Sequence, residues 1–173
     1  MTITMQELIA KVGKGEKGAK DLTYQEAASA MRLLLEGTAT PAQAGAFLIA
    51  MRIKSESVSE LAAFISTARE YVPPLPLPPD LGHVDIPSYA GKQDSWHVLL
   101  PAAIVAAAAG APVLLHGYDG VPNRVSTAAV AEKLGIPIDL EPKQAAECLT
   151  QKGLAYLDVG LYPPLVFRVV EMR

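Results

Sequence analysis

The chain has only one cysteine, Cys148, so no internal disulfide can form, which fits a reducing cytoplasm. No nearby histidine supports a reactive thiol there, and Cys148 reads as a packing residue. Positive charge is also scarce. Fifteen Lys and Arg against eighteen Asp and Glu leave a formal net charge of −3, which excludes a global field that recruits nucleic acid or acidic membrane. Only a local basic patch could do so. The first twenty residues lack the apolar core of a signal peptide. Residues 98–115 carry no charge and approach membrane-spanning length, but alanine predominates and Pro101, Gly110 and Pro112 divide the run. A buried helix followed by a buried strand accounts for it. The expectation is a soluble, cytoplasmic protein with no membrane partner.

What is present is ordinary globular composition, half hydrophobic and 19% charged. A length of 173 residues suggests one domain, or a small domain attached to part of another.

The first part of the chain reads as helices. Residues 5–12 form a short one that runs into the loop GKGEKGAK, where the P-loop ending Gly-Lys-Ser/Thr is missing and a solvated connector is expected. Asp21 or Thr23 caps the next helix through Glu36, with Glu26 completing a capping box and Gly37 ending it. Ala27, Ala30, Met31, Leu34 and Leu35 mark its apolar face. Thr40-Pro41 opens a third helix through Lys54, with Ala44, Phe47, Leu48, Met51 and Ile53 as its apolar positions. Ser57 and Glu60 open a fourth, expected to turn Leu61, Phe64, Ile65 and Ala68 inward. Short links between these helices predict a small antiparallel bundle over residues 1–71.

Residues 72–79, VPPLPLPP, hold five of the fourteen prolines and predict a stiff, extended hinge over 72–83. A ligand for a proline-recognising domain is the other reading. From residue 84 to 173 strands and helices alternate. Strands are expected at 84–86, 112–116, 136–140 and 154–157, with helices at about 96–109, 126–134 and 142–152 and a last one from Pro164. The fold class is therefore α/β: an N-terminal helical bundle plus part of a mostly parallel α/β domain. Such sheets bind ligands at the carboxyl ends of their strands, here the 87–94 loop and the loop after His116.

The segments EGTATPAQAGAFLIAMRIKSES, VDI, AAIVAAAAGAPVLLHG, AEKLGIPIDLEP and LYPPLVFRVVEMR resemble, in that order, anthranilate phosphoribosyltransferases and related nucleoside phosphorylases. This is the glycosyltransferase family 3 group, and nearly the whole chain is covered. The resemblance implies a sheet that continues beyond residue 173 in a full-length member. It also implies a pentosyl transfer by displacement at the anomeric carbon of a phosphoribosyl-type donor. Magnesium enters only if a longer chain supplies the family's acidic pair. A homodimer through the N-terminal helices is implied as well.

The family's glycine-rich phosphate loop corresponds here to Pro87, Ser88, Tyr89, Ala90, Gly91 and Lys92. Close approach of a phosphate to backbone needs residues without a Cβ, and Pro87 removes a donor outright. The family's Asn-Ile-Ser-Thr becomes His97-Val98-Leu99-Leu100, and its Lys-His-Gly-Asn becomes Leu115-His116-Gly117-Tyr118. His116 and Gly117 match; Asn123 stands for a phosphate-contacting serine; Arg173 matches the arginine that grips anthranilate. These replacements argue against the standard reaction from this chain alone. They leave two classes open: a transferase with altered activity, or a non-catalytic binder of nucleic acid or another polyanion. The candidate binding residues are His116, Gly117, Lys92, His97, Asn123, Arg124 and Arg173, with no metal ligands. Asp94 is the expected cap of the helix that follows the loop, and Trp96 is expected to be buried as an anchor of the loop, with stacking on a ligand as the alternative.

Overall fold

The computed structural model describes residues 3–15, 17–120, 122–162 and 164–171. It divides into two compact units. One holds the chain up to Pro73 together with the last helix from Leu165; the other is Pro74–Pro164.

The helical unit begins with α1 (Met5–Val12), α2 (Tyr24–Leu35), α3 (Pro41–Lys54) and α4 (Val58–Glu70). Each starts on a capping box, with Thr4, Thr23, Thr40 and Ser57 paired to Glu7, Glu26, Gln43 and Glu60. The core gathers Leu8, Val12, Ala27, Leu34, Ala44, Phe47 and Met51, and Phe47 meets Phe64 edge-on at 6.5 Å. One expectation fails on α4. Leu61 and Ile65 are exposed, and the buried positions are Glu60, Ala63 and Thr67.

The cause is Glu60 itself, whose side chain is fully buried. Its carboxylate accepts from the backbone N–H of Leu22 and of Ser57, both at 2.7 Å, and from Lys54 Nζ at 2.8 Å. Lys54 also donates to Asp21 at 2.5 Å. A carboxylate with three donors is worth burying, and this turns α4 away from its larger apolar side chains. Ile53 of α3 is likewise exposed. The last helix, α8 (Pro164–Glu171), groups with this unit from Leu165 on. Val169 packs on the helical core, and Arg168 Nη1 donates to the Leu35 carbonyl at 3.4 Å.

In the second unit β1 (Val84–Ser88), β2 (Val113–Gly117) and β3 (Leu154–Asp158) form a parallel sheet in that order. Helices α5 (Leu99–Ala108), α6 (Thr127–Lys133) and α7 (Pro142–Lys152) connect them. Val113, Leu115 and Tyr156 face a core shared with α5 and α6, while Leu114, Ala155 and Leu157 face α7. Helices on both sides of a parallel sheet are what the alternating pattern predicts. Residues 136–140 are not a strand. Ile136 N–H closes on the Ala131 carbonyl at 2.9 Å as the tail of α6, Pro137 has no donor, and Ile136 and Ile138 simply fill the core. Helix α5 starts at Leu99, three residues later than expected, with Val98 at its N-cap and no side-chain cap; Asp94 does not cap it. Cys148 is partly buried and its thiol donates to the Leu154 carbonyl at 3.2 Å, as a packing residue does. No helix among the described residues is long and apolar enough to cross a membrane.

Candidate functional site

The carboxyl ends of β1 and β2 lie side by side, with Pro87 opposite His116 and Ser88 opposite Gly117. Side chains alternate across a sheet, so this register sorts the edge into two faces. Asp85, Tyr89 and His116 share the side of Leu114, towards α7; Ser88 and Gly117 share the side of Leu115, towards α5 and α6.

On the first side, three residues form a chain. The Tyr89 hydroxyl lies 2.6 Å from His116 Nδ1, and His116 Nε2 lies 3.1 Å from Asp85 Oδ1. The Tyr89 ring meets the imidazole edge-on, with centroids 5.4 Å apart. A neutral imidazole satisfies both contacts by accepting the phenol proton at Nδ1 while its Nε2–H donates to the carboxylate. A carboxylate, imidazole and phenol in series can orient one another and pass a proton. They also use both ring nitrogens of His116.

On the second side, the two loops are closed onto each other. Ser88 Oγ and Thr127 Oγ1 are 2.5 Å apart. Lys92 and Val125 form an isolated antiparallel bridge, exchanging two N–H···O bonds of 2.8 Å. His97 Nε2 donates to the Val125 carbonyl at 2.7 Å, and Arg124 Nη1 reaches the Ala90 carbonyl at 3.5 Å. Ser126 is shared: its hydroxyl donates to Asp119 and accepts from Ala129 N–H at the start of α6. Two residues give the loops their turns. Gly91 has φ +62°, with Arg124 Cβ and the Val125 carbonyl 2.9 and 3.1 Å from where a Cβ would stand. Asn123 has φ 57°, a conformation that asparagine tolerates better than most side chains.

Gly117 matters for space. A Cβ there would run into the Ser88 carbonyl and would stand 2.7 Å from the Tyr156 hydroxyl. Tyr156 is 1% exposed, and among the described residues its hydroxyl has no hydrogen-bond partner. Burial, with Asp158 and Asp119 nearby, pushes the phenol well above its ordinary pKa, so it stays protonated. A buried donor without an acceptor destabilises, so Tyr156→Phe should be neutral or stabilising by up to about 1 kcal/mol. Thermal denaturation checks this; a clear loss would show that the hydroxyl has a partner in solution.

The structure thus brings Lys92, His97, Asn123 and Arg124 together on two joined loops, and puts His116 on the opposite side of the sheet from Ser88 and Gly117. Arg173 lies outside the described residues. Trp96 is not the buried anchor expected: it is 88% exposed, because the helix begins after it and the loop is held instead by His97. Tyr89 and Asp85 were not among the candidates. Asp85 and Pro87 share the face of β1 that lies beside His116, and Tyr89 follows directly on the strand's last residue, Ser88. Magnesium does not fit these residues. Among the described residues no three His, Cys, Asp or Glu side chains converge on a common point. At this edge Asp85 is turned to His116, Asp119 to Ser126, and Asp158 to the Gly160 N–H at 2.6 Å.

Comparison with known proteins agrees with this architecture. Residues 6–72 match the glycosyl transferase family, helical bundle domain, and residues 82–167 match the glycosyl transferase family, a/b domain. The anthranilate phosphoribosyltransferase of Persephonella marina is 35% identical over 170 residues, which is 98% of this chain and 49% of that protein. The anthranilate phosphoribosyltransferase of Thermus thermophilus superposes with a TM-score of 0.80 at 26% identity, over 98% of this chain and 49% of its own. The Saccharomyces cerevisiae enzyme, solved in complex with PRPP and Mg, superposes with a TM-score of 0.75 at 16% identity, over 98% and 50%. The chain spans about half the length of these relatives. With both domains matched in order, the chain belongs to this glycosyl transferase family and is similar to its anthranilate phosphoribosyltransferases.

Proposed function

We propose that this chain is an anthranilate phosphoribosyltransferase-like protein in which the standard pentosyl transfer from a phosphoribosyl-type donor is lost or strongly reduced. The observation that carries this reading is the occupied edge of the sheet. Residues 87–92, which correspond to the family's phosphate loop, bond through Tyr89 to His116 and through Lys92 to Val125. A pyrophosphate needs free backbone N–H groups at close range, and Pro87 offers none while Lys92 N–H is already bonded to the Val125 carbonyl. Losing one preorganised donor costs about 3 kcal/mol in the transition state, roughly a hundredfold or more in rate, and several are replaced here. Incubated with anthranilate, PRPP and magnesium, the chain should form product at least about a thousandfold more slowly than the Persephonella marina relative. Turnover within tenfold of that relative would overturn the reading.

A second reading is a polyanion binder, nucleic acid included. It is favoured by Trp96, 88% exposed, on the same joined loops as the exposed cations Lys92 and Arg124. Bases stack on exposed aromatic rings while cations follow the phosphates. Fluorescence polarisation with a short single-stranded oligonucleotide should then show affinity that falls steeply with salt. Affinity independent of salt would count against it. As part of the proposal the chain is cytoplasmic and pairs through its N-terminal helices, where Ile49 and Ile53 of α3 and Val58, Leu61 and Ile65 of α4 are exposed.

A further inference from the structure

The phenol of Tyr89 does more than fill the edge: its surroundings are those of an activated nucleophile. Its oxygen lies 2.6 Å from His116 Nδ1, and His116 Nε2 lies 3.1 Å from Asp85 Oδ1. The carboxylate holds the imidazole proton on Nε2, which leaves the Nδ1 lone pair to accept the phenol proton. Nucleophile, base and orienting acid stand in the order that covalent catalysis uses on unrelated folds. Tyr89 is half-buried and the His116 side chain is 27% exposed, so substrate and water can reach the pair. Tyr89 also follows directly on β1, at the carboxyl end of the parallel sheet, where such sheets receive their ligands.

Cations beside the phenol indicate the electrophile. Arg124 Nη1 reaches the carbonyl of Ala90, the residue after Tyr89, at 3.5 Å, and Lys92 is exposed two residues further on. Cations flanking a nucleophile suit an anionic electrophile, a phosphoryl centre whose charge they offset. We propose that Tyr89 attacks phosphodiesters, with His116 as its base and Asp85 as the residue that positions His116. In the first step Tyr89 Oη bonds to phosphorus and its proton passes to His116 Nδ1. The bond to the leaving oxygen breaks with its electron pair on that oxygen, which takes the proton from Nδ1 and departs as an alcohol. Water then gives a proton to Nδ1 and bonds to phosphorus, while Tyr89 leaves as phenolate and recovers the proton. Diester and water become monoester and alcohol. The choice of substrate rests on the polyanion reading; the triad itself does not depend on whether pentosyl transfer survives.

The test incubates the whole chain with bis(p-nitrophenyl) phosphate and, separately, with a short single-stranded oligonucleotide. The expected results are release of nitrophenolate and, after acid quenching, a nitrophenylphosphoryl adduct that peptide mass spectrometry maps to Tyr89 among the six tyrosines. Tyr89→Phe should abolish both. His116→Ala should lower release by about a hundredfold or more, with partial recovery in added imidazole, which a merely structural role would not show. Asp85→Asn should lower kcat by about tenfold or more and leave KM in place, because the imidazole loses its tautomer. Tyr24→Phe, at an exposed tyrosine, should change nothing. The wild-type adduct is mapped without any variant, so a Tyr89→Phe chain that failed to fold would not shield the proposal. Release that Tyr89→Phe or His116→Ala leaves unchanged would overturn it, as would the absence of both release and adduct. Salt-dependent oligonucleotide binding with no reaction of either diester would sink the triad and leave the polyanion reading standing. An adduct from the small diester with no affinity for the oligonucleotide would support the triad and refute that reading.

Discussion

Glu60→Ala should lower the stability of the helical unit by about 3 kcal/mol, the usual cost of removing one partner of a buried ion pair. For a chain of this size that corresponds to a fall in Tm of roughly 6–12 °C. Three donors lose their acceptor together: Leu22 N–H, Ser57 N–H, and the ammonium of Lys54, whose side chain is only 7% exposed. Glu60→Gln is the informative control. It keeps one acceptor oxygen but places an NH2 against Lys54 or a backbone N–H, so it should fall between the wild type and Ala.

The same carboxylate sets an acid limit. Burial pushes the Glu60 carboxyl up, but the bonds from Lys54, Leu22 and Ser57 outweigh it and hold the folded value below 4.5. A depressed carboxylate stabilises the fold in full above its unfolded value, and that contribution disappears as pH falls through the folded value. Wild type should therefore lose stability on acidification below pH 4.5 more steeply than Glu60→Gln does. Parallel acid profiles would show that Glu60 is not ionised in the folded unit.

Gly117→Ala should cost about 2 kcal/mol, in the range for forcing one extra carbon into a filled space. The new methyl would meet the Ser88 carbonyl across the β1–β2 pair and the Tyr156 hydroxyl beside it. The side chain of Tyr156 can yield; the backbone at Ser88 cannot without disturbing the pairing. Combined with Tyr156→Phe, the loss should shrink but remain above half. Complete rescue would show that the hydroxyl alone sets the spacing. Gly117 thus has a structural reason for being glycine that needs no ligand.

Much of the fold could be read directly from the residues. The capping boxes at Thr23 and Ser57 and the Thr40-Pro41 cap placed the starts of α2 to α4, and the change from helical spacing to alternating strands and helices placed the parallel sheet. The failures share a cause, which is that local pattern does not reveal long-range polar contacts. Nothing about Leu61, Phe64 and Ile65 indicates that Glu60 would be drawn inward by Leu22, 38 residues earlier. Nothing in Ile136-Pro137-Ile138 distinguishes a strand from an apolar plug. The sequence points to the loops after β1 and β2 as neighbours, and those loops do meet. Their side-chain partners were not legible. His97 bonds the Val125 carbonyl, and His116 is held between Tyr89 and Asp85, because the pairing of β1 with β2 and of Lys92 with Val125 brings together residues far apart in sequence.

The proposal that a phosphorylated sugar does not bind at this edge rests on its side chains being engaged with one another. It is tested most directly by titrating the labelled chain with PRPP and magnesium while following the NMR signals of Ser88, Tyr89, Gly91, Lys92, Gly117 and the His116 ring. The account predicts that these signals stay in place, with His116 Nδ1 remaining the acceptor of the Tyr89 phenol. Saturable shifts centred on Gly91, Lys92 and His116, with loss of the phenol–imidazole bond, would contradict it.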